Sequence, residues 1–390
     1  MQIKAADRLK NVSEYYFSQK LAEVRKLNEQ GHEIINLGIG NPDLPVSEKV
    51  VSKLNSISQD SKSHYYQPYK GTAGLRSAFS QWYKKMYEVD LDSTKEILPL
   101  AGSKEGIMLI TMAFVNPGDT ILIPNPGYPA YESVANLLGA KVVRYNLNAH
   151  NNWQPNFDEL NKLDLTSCKL MWVNYPNMPT GAKATKELFK QLVNFGLNNE
   201  ILICNDNPYS HILNNKPLSI MNENRAKDTC LELNSLSKSH NMQGFRVGMV
   251  GGHEQLIQAL LQVKSNYDSG MYLPVQEAAI EALSLNKSWY EKNNQIYQER
   301  KDLLRNILSN LGLSFDPDSQ GMFVWSEIPK SFKDAFEYSD HILNKYRVFA
   351  APGAIFGSNG NRYIRFSLCS SMNQIKEFGN RIKKLKKIAV

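Results

Sequence analysis

A lysine, an arginine and two serines that could act together fall within one short stretch. Ser235-Leu236-Ser237-Lys238 is followed by Arg246 in Gly244-Phe245-Arg246-Val247-Gly248. A lysine amine condenses with a carbonyl to form a Schiff base. Arginine grips a phosphate through its planar fork of donors, and two hydroxyls add to that grip. The set suits an aldehyde that carries a phosphate. Taken alone, the same residues could be a surface lysine near a structural arginine.

Three further segments carry polar groups where strands or helices should end or begin. Asp206, Asn207, Pro208 and Tyr209 follow the β-type run 201–205. There a carboxylate can face a protonated ring nitrogen, and a tyrosine can donate to a nearby oxygen; a plain polar turn is the alternative. Gly102-Ser103-Lys104 precedes the apolar run 107–115. Free backbone N–H groups at a helix start cradle phosphate, and Ser103 could equally be an ordinary cap. Arg365 sits in the β-type run Tyr363-Ile364-Arg365-Phe366-Ser367. A strand arginine needs an anion, either a bound carboxylate or a structural glutamate.

The elements that must position these groups follow an alternating pattern. Strands are predicted at 120–123, 141–145, 170–174, 201–205, 230–234 and 246–250, with helices such as 187–195 and 253–263 between them. Such alternation implies an α/β fold with a mostly parallel sheet covered by helices on both faces. Functional residues should then gather at the C-terminal ends of the strands. From about residue 280 the texture changes. A long polar helix over 287–311 leads to strands at 322–327, 348–351 and 363–368, helices at 332–346 and from 372 onward, and thus a smaller α+β domain. The expected division is a large domain over 46–285 and a small one made of 1–45 and 286–390.

Composition narrows the function classes. The chain has 390 residues, 42% hydrophobic and 21% charged, with a net charge of +7. That is ordinary for a globular protein and too long for a single core of usual size, roughly 250–300 residues. The densest basic run, 381–387, reads as the solvated face of a last helix, so no nucleic-acid or membrane partner is expected. Cys168, Cys204, Cys230 and Cys369 form no C-x-x-C pair and read as buried thiols in a reducing compartment. With no secretory h-region and no long apolar run, a cytoplasmic location is expected. Scattered histidines give no metal spacing. Gly38-Ile39-Gly40 lacks the third glycine of a dinucleotide fingerprint.

The landmarks taken together resemble one family, the class I/II aminotransferases of fold-type I pyridoxal 5′-phosphate (PLP) enzymes. They occur in the family's order from about residue 30 to 388. They are Leu37-Gly38-Ile39-Gly40-Asn41-Pro42-Asp43, Tyr66 with Gly71 and Leu75-Arg76, Gly102-Ser103-Lys104, and Pro126-Gly127-Tyr128 with Tyr131. Next come Asn177-Met178-Pro179-Thr180-Gly181, Asp206 to Tyr209, Ser235 to Gly248, Pro352-Gly353 with Phe356-Gly357, and Arg365.

The resemblance implies the following roles. Lys238 carries the Schiff base and moves the proton; Asp206 pairs with the pyridine nitrogen; Tyr209 donates to the cofactor's O3′; Tyr128 stacks on the ring. Gly102, Ser103, Lys104, Ser235, Ser237 and Arg246 hold the phosphate, with Tyr66 reaching it from a partner subunit of a homodimer. Arg365 clamps the substrate carboxylate, with Gly40 and Ile39 lining that corner. The implied activity is amino transfer from an L-amino acid to a 2-oxo acid by a ping-pong mechanism. A PLP-dependent carbon–sulfur β-lyase is the alternative, and a non-enzymatic PLP-binding regulator a remote one. The substrate side chain could be aromatic, methionine-like or diaminopimelate-like. Tyr15, Tyr16 and Phe17 could border the substrate, although packing of the N-terminal arm is the expectation.

One position departs from the family. Asn-Asn-Pro-Thr-Gly is usual where this chain has Met178 as the second residue. The usual asparagine shares the O3′ hydrogen bond, and a thioether cannot donate one. Tyr209 alone, Asn177 or a water would then serve O3′.

Overall fold

The computed structural model describes residues 3–12 and 16–388. In chain order the strands are β1 (Ile35–Asn36), β2 (Ile97–Leu100), β3 (Thr120–Asn125), β4 (Lys141–Asn146), β5 (Cys168–Val173), β6 (Leu202–Asp206) and β7 (Cys230–Ser235). Then come β8 (Gly248–Gly252), β9 (Ser314–Phe315), β10 (Phe323–Glu327), β11 (Val348–Phe349), β12 (Ala351–Pro352) and β13 (Tyr363–Ser367).

The central sheet has the order β2-β8-β7-β6-β5-β3-β4. Strands β3 to β7 pair in parallel, and β8 runs antiparallel to both β2 and β7. The mostly parallel α/β expectation holds. Strands β3, β7 and β8 are buried at every residue, and β5 and β6 at nearly all, as a sheet covered on both faces requires. Even the charged Glu232 of β7 is fully buried. It accepts from Tyr83 (3.1 Å), Asn205 (2.9 Å), Ser219 (2.7 Å) and the Ile220 backbone (3.1 Å), so its lone pairs are satisfied.

The second region matches the expected change of texture. A 24-residue helix, Lys287–Asn310, precedes a four-stranded antiparallel sheet of order β12-β13-β10-β9. The run expected as one strand over 348–351 splits in two: β11 pairs with β1 from the N-terminal segment, and β12 pairs with β13. The helix Tyr16–Glu29 is tied to the helix Ala335–Tyr346 by Lys20, whose Nζ lies 3.2 Å from Asp340. No described helix is long and apolar enough to cross a membrane.

Two strand boundaries differ from expectation with consequences for the site. β2 was not among the predicted strands; it is four residues long, lies at the sheet edge and contains Pro99, which only an edge strand tolerates. β8 begins at Gly248, two residues later than expected. Arg246 therefore lies in the preceding loop, with a left-handed φ of 56°. A non-glycine residue held there marks a backbone constrained by its surroundings.

Candidate active site

The register of the central sheet gathers the chemistry. Ser235 at the C-terminal end of β7 lies opposite Gly248 at the start of β8, and Gly248 also lies opposite Leu100 at the end of β2. The antiparallel strand thus brings Arg246 between the residues after β2 and those after β7. Its Nη1 donates to Gln243 O (3.0 Å) and Ser237 Oγ (3.4 Å), and its Nη2 to Ala101 O (3.3 Å). Ser235 Oγ donates to Ser237 Oγ at 2.9 Å. Gly102, at φ 86°, caps the helix Ser103–Phe114; a Cβ there would fall 2.0 Å from Arg246 Nη2, so only glycine admits the guanidinium. Hydroxyls, a guanidinium and the start of a helix together form an anion cup.

Asp206, the last residue of β6, lies opposite Leu233 of β7, one turn of chain ahead of Lys238 on the short helix Leu236–Ser239. Its Oδ2 accepts from Tyr131 OH at 3.1 Å, while Oδ1 is buried with no hydrogen-bond partner. Burial pushes its carboxyl up to about 7, against the opposing pull of the Tyr131 hydroxyl and the Lys238 charge. Lys238 Nζ donates to Gly40 O at 2.5 Å. Burial lowers its pKa, so less alkaline conditions suffice to free the amine. Tyr209 is raised, chiefly by burial, and its ring meets Phe323 edge-on at 5.8 Å. Tyr128 stands perpendicular to Tyr131 at 5.6 Å, and Tyr131 stacks on Trp172 at 4.9 Å.

Arg365 reaches the same cavity from β13. Its Nη2 donates to Gly38 O at 2.7 Å, and its Nη1 lies 3.3 Å from Met178 Sδ. The guanidinium is packed by the rings of Phe323 (4.0 Å), Phe356 (4.6 Å) and Phe17 (5.5 Å). Stacked aromatic faces orient the fork and hold its charge in a dry surrounding.

One cavity of about 620 Å³ is lined by Ile39, Gly40, Ser103, Lys104, Tyr128, Asp206, Tyr209, Ser235, Ser237, Lys238, Arg246 and Arg365. Gly102 lies beneath Arg246 rather than in the lining. One residue expected in this cavity is not brought there. Asn177 is a correction: its Nδ2 donates to Asn174 O (3.2 Å) and its Oδ1 accepts from Thr180 Oγ1 (2.8 Å), because the turn closed by Gly181 N on Asn177 O uses it. Tyr66 is 90% exposed and outside this cavity.

Sequence reasoning assigned no role to Asn174, although it ends the predicted strand at 170–174. It lines the cavity and binds Asp206 O and Met178 N through its amide. Tyr131 was a landmark without a task. Phe17, Ser18, Leu21, Tyr131, Met178, Pro208, Gln243, Phe323 and Phe356 complete the lining. Phe17 thus packs the N-terminal helix and borders the cavity at once. Tyr15, beside it, lies outside the described residues, as do the side chains of Lys386 and Lys387 in the basic run. His240 is buried behind the site, bonded to Ser239 Oγ (2.9 Å) and Tyr290 OH (3.0 Å).

These residues fit PLP. The buried Oδ1 of Asp206 awaits a donor, the cup suits a phosphate, and Lys238 supplies the amine for an aldehyde.

Comparison with known proteins agrees with this geometry. The family model for class I and II aminotransferases matches residues 32–382. An LL-diaminopimelate aminotransferase of Dehalococcoides mccartyi is 37% identical over 377 residues, 96% of this chain and 97% of the relative. Transaminase BacF of Bacillus subtilis is 35% identical over 387 residues, 99% of this chain and 97% of BacF. The solved structure of substrate-bound BacF superposes with a TM-score of 0.93 over 99% of this chain and 98% of that one, at 35% identity.

Proposed function

The chain belongs to the class I and II aminotransferases, and from that premise we propose that it moves the amino group of an L-amino acid to a 2-oxo acid with PLP held in this cavity. The observation that carries the reading is a buried, partnerless carboxylate oxygen on Asp206 in the same cavity as the amine of Lys238. When bound, PLP supplies an aldehyde for the amine and a ring that accepts the electrons released at the substrate Cα. Asp206 Oδ1 would accept a hydrogen bond from a protonated ring nitrogen, whose charge would favour the ionised carboxylate. Lys238 Nζ, its pKa lowered by burial, would take up and give back the proton of the substrate Cα. Tyr209 OH would donate to the ring oxygen beside the aldehyde, and Tyr128 would cover the ring face. Ser103, Lys104, Ser235, Ser237 and Arg246, above Gly102, hold the phosphate. Arg365 holds the substrate carboxylate in two-point fashion, with Ile39 and Gly40 closing that corner.

The same reading makes the protein a homodimer in which Tyr66 serves the partner's phosphate. Support comes from a group of exposed aromatics, Tyr65 at 70%, Tyr66 at 90%, Tyr267 at 59% and Tyr272 at 48%, which a second copy would cover. A cytoplasmic location is supported by four cysteines that are buried and unpaired. The division into 46–285 against 1–45 with 286–390 is supported by the pairing of β1 with β11.

The test replaces the lysine. Purified protein loaded with PLP should convert amino donors in the presence of a 2-oxo acid. Lys238→Ala should lower turnover by at least about 10²–10⁴-fold. Full turnover in that variant refutes the assignment.

A further inference from the structure

We propose that Lys264 is a positioning residue for the phosphate end of the cofactor. It holds the start of the helix Ser103–Phe114, and with it the anion cup, and ties that cup to the segment that carries Tyr66. This deepens the PLP reading and rests on it. Lys264 and its two partners, Glu105 and Asp268, lie outside the cavity lining.

Lys264 ends the helix Glu254–Lys264, and its side chain is fully buried. A lysine is almost never found there unless it is paired. Its Nζ donates to Glu105 Oε1 at 3.0 Å and to Asp268 Oδ2. One ammonium thus joins two carboxylates from separate parts of the chain. Truncating the lysine leaves both carboxylates without the cation between them, the costly way to break a buried pair.

The Glu105 arm leads to the cup. Glu105 stands in the first turn of the helix Ser103–Phe114. Its other oxygen, Oε2, accepts from Ala101 N at 2.5 Å. Ala101 O in turn accepts from Arg246 Nη2 at 3.3 Å. The carboxylate therefore closes the turn 101–105 around Gly102. Fixing Oε1 on Lys264 fixes the plane of that carboxylate, so the turn that presents Ser103 and Lys104 rests on a buried anchor.

The Asp268 arm leads to Tyr66. Asp268 Oδ1 accepts from Gly270 N at 3.0 Å, and Asp268 N donates to Lys264 O at 3.0 Å. Gly270 has φ 86°, and a Cβ there would fall 2.3 Å from Gln67 O. The turn 268–270 is thus pressed against the backbone next to Tyr66, whose hydroxyl the dimer reading gives to the partner's phosphate. Lys264 stands between the cup a chain keeps and the hydroxyl it offers.

The experiment uses the full chain freed of cofactor. Equilibrium titrations measure binding of PLP, of pyridoxal, which lacks the phosphate, and of inorganic phosphate. Lys264→Met should weaken PLP and inorganic phosphate by about 10-fold or more, and pyridoxal by less than about 2-fold. Glu105→Gln decides between position and charge, and stands in where Lys264→Met does not fold. Its amide oxygen still serves Ala101 N, but the bond to Lys264 is lost. Removing an anion near the cup strengthens phosphate binding if only the field matters; it weakens binding if the position of the turn matters. The double variant should lose no more than Lys264→Met alone, because both changes cut one link. Adding Tyr66→Phe to Asp268→Asn should cost less PLP affinity than Tyr66→Phe costs the wild type. An equal loss on PLP and pyridoxal marks a merely structural lysine and overturns the proposal, as does phosphate binding that is unchanged or stronger in Glu105→Gln. Full additivity of Asp268→Asn with Tyr66→Phe overturns the Tyr66 arm. A wild-type protein that holds PLP no better than pyridoxal strikes the cofactor reading instead, and inorganic phosphate still reports on the cup.

Discussion

The side of the cavity around Arg246 and the side around Arg365 hold the same kind of group by different means. Around Arg246 the partners are backbone carbonyls and serine hydroxyls at strand ends, brought together by the pairing of β8 with β2 and β7. Around Arg365 they are one carbonyl, one thioether and three aromatic rings, drawn from positions 17, 38, 178, 323 and 356. The first side is specified by hydrogen-bonded register, the second by packing between separate elements. A register leaves one answer for every chain with the same strands. Packing tolerates exchange of volume-matched side chains. Cofactor chemistry should therefore be set on the first side and substrate preference on the second.

Separating the two arginines tests this most strongly. Arg246→Ala should weaken cofactor binding, measured by equilibrium dialysis, by about 10–100-fold, while KM for the amino acid stays near wild type at saturating cofactor. Arg365→Ala should do the reverse: unchanged cofactor affinity and a loss of about 10–100-fold in kcat/KM. If both variants lose the same quantity, the two sides are not independent.

Asp206 sharpens the contrast through pH. Its carboxyl is raised from 3.8 to about 7 by burial, so the folded, cofactor-free protein holds this proton more tightly than the unfolded chain. That penalty is absent below about pH 4, grows as pH rises, and is complete above about pH 7, on the order of a few kcal/mol. Asp206→Asn should therefore raise the melting temperature of the cofactor-free protein at pH 8 more than at pH 5, and lower cofactor affinity. A constant difference across that range would contradict the burial argument.

The smallest expected effect lies where the two sides meet. Met178 touches Arg365 and stands where the family carries a donor to the cofactor oxygen. Met178→Asn should restore a donor and lower the pKa read from the cofactor's absorbance by about one unit or less. An unmoved titration would leave Tyr209 serving that oxygen alone.

Legibility in the sequence follows the same divide. Lys238, Arg246, Asp206 and Tyr209 stand at strand ends within short local motifs, and six of the seven strands of the central sheet carry a clear β pattern. β2 hid because its proline and its length are those of an edge strand. Phe17, Phe323 and Phe356 look like ordinary core aromatics, and only the meeting of the N-terminal helix with β10 and the short turn Gly353–Phe356 makes them a wall. Asn177 and Asn174 show the limit of motif reading: the motif names the turn, but the turn's own hydrogen bonds decide which amide faces the cavity.

The reversed strand β8 has a consequence for how the chain finishes folding. Residues 101–104, 235–238 and 246 become neighbours only once β8 has slotted between β2 and β7 with Gly248 against both Leu100 and Ser235. A slip of one residue turns every β8 side chain to the opposite face, and the anion cup does not exist. A phosphate ligand thus binds the correctly zipped chain alone and draws it forward by mass action. A cofactor held by this cup would thereby favour chains in which β8 has found its place between β2 and β7.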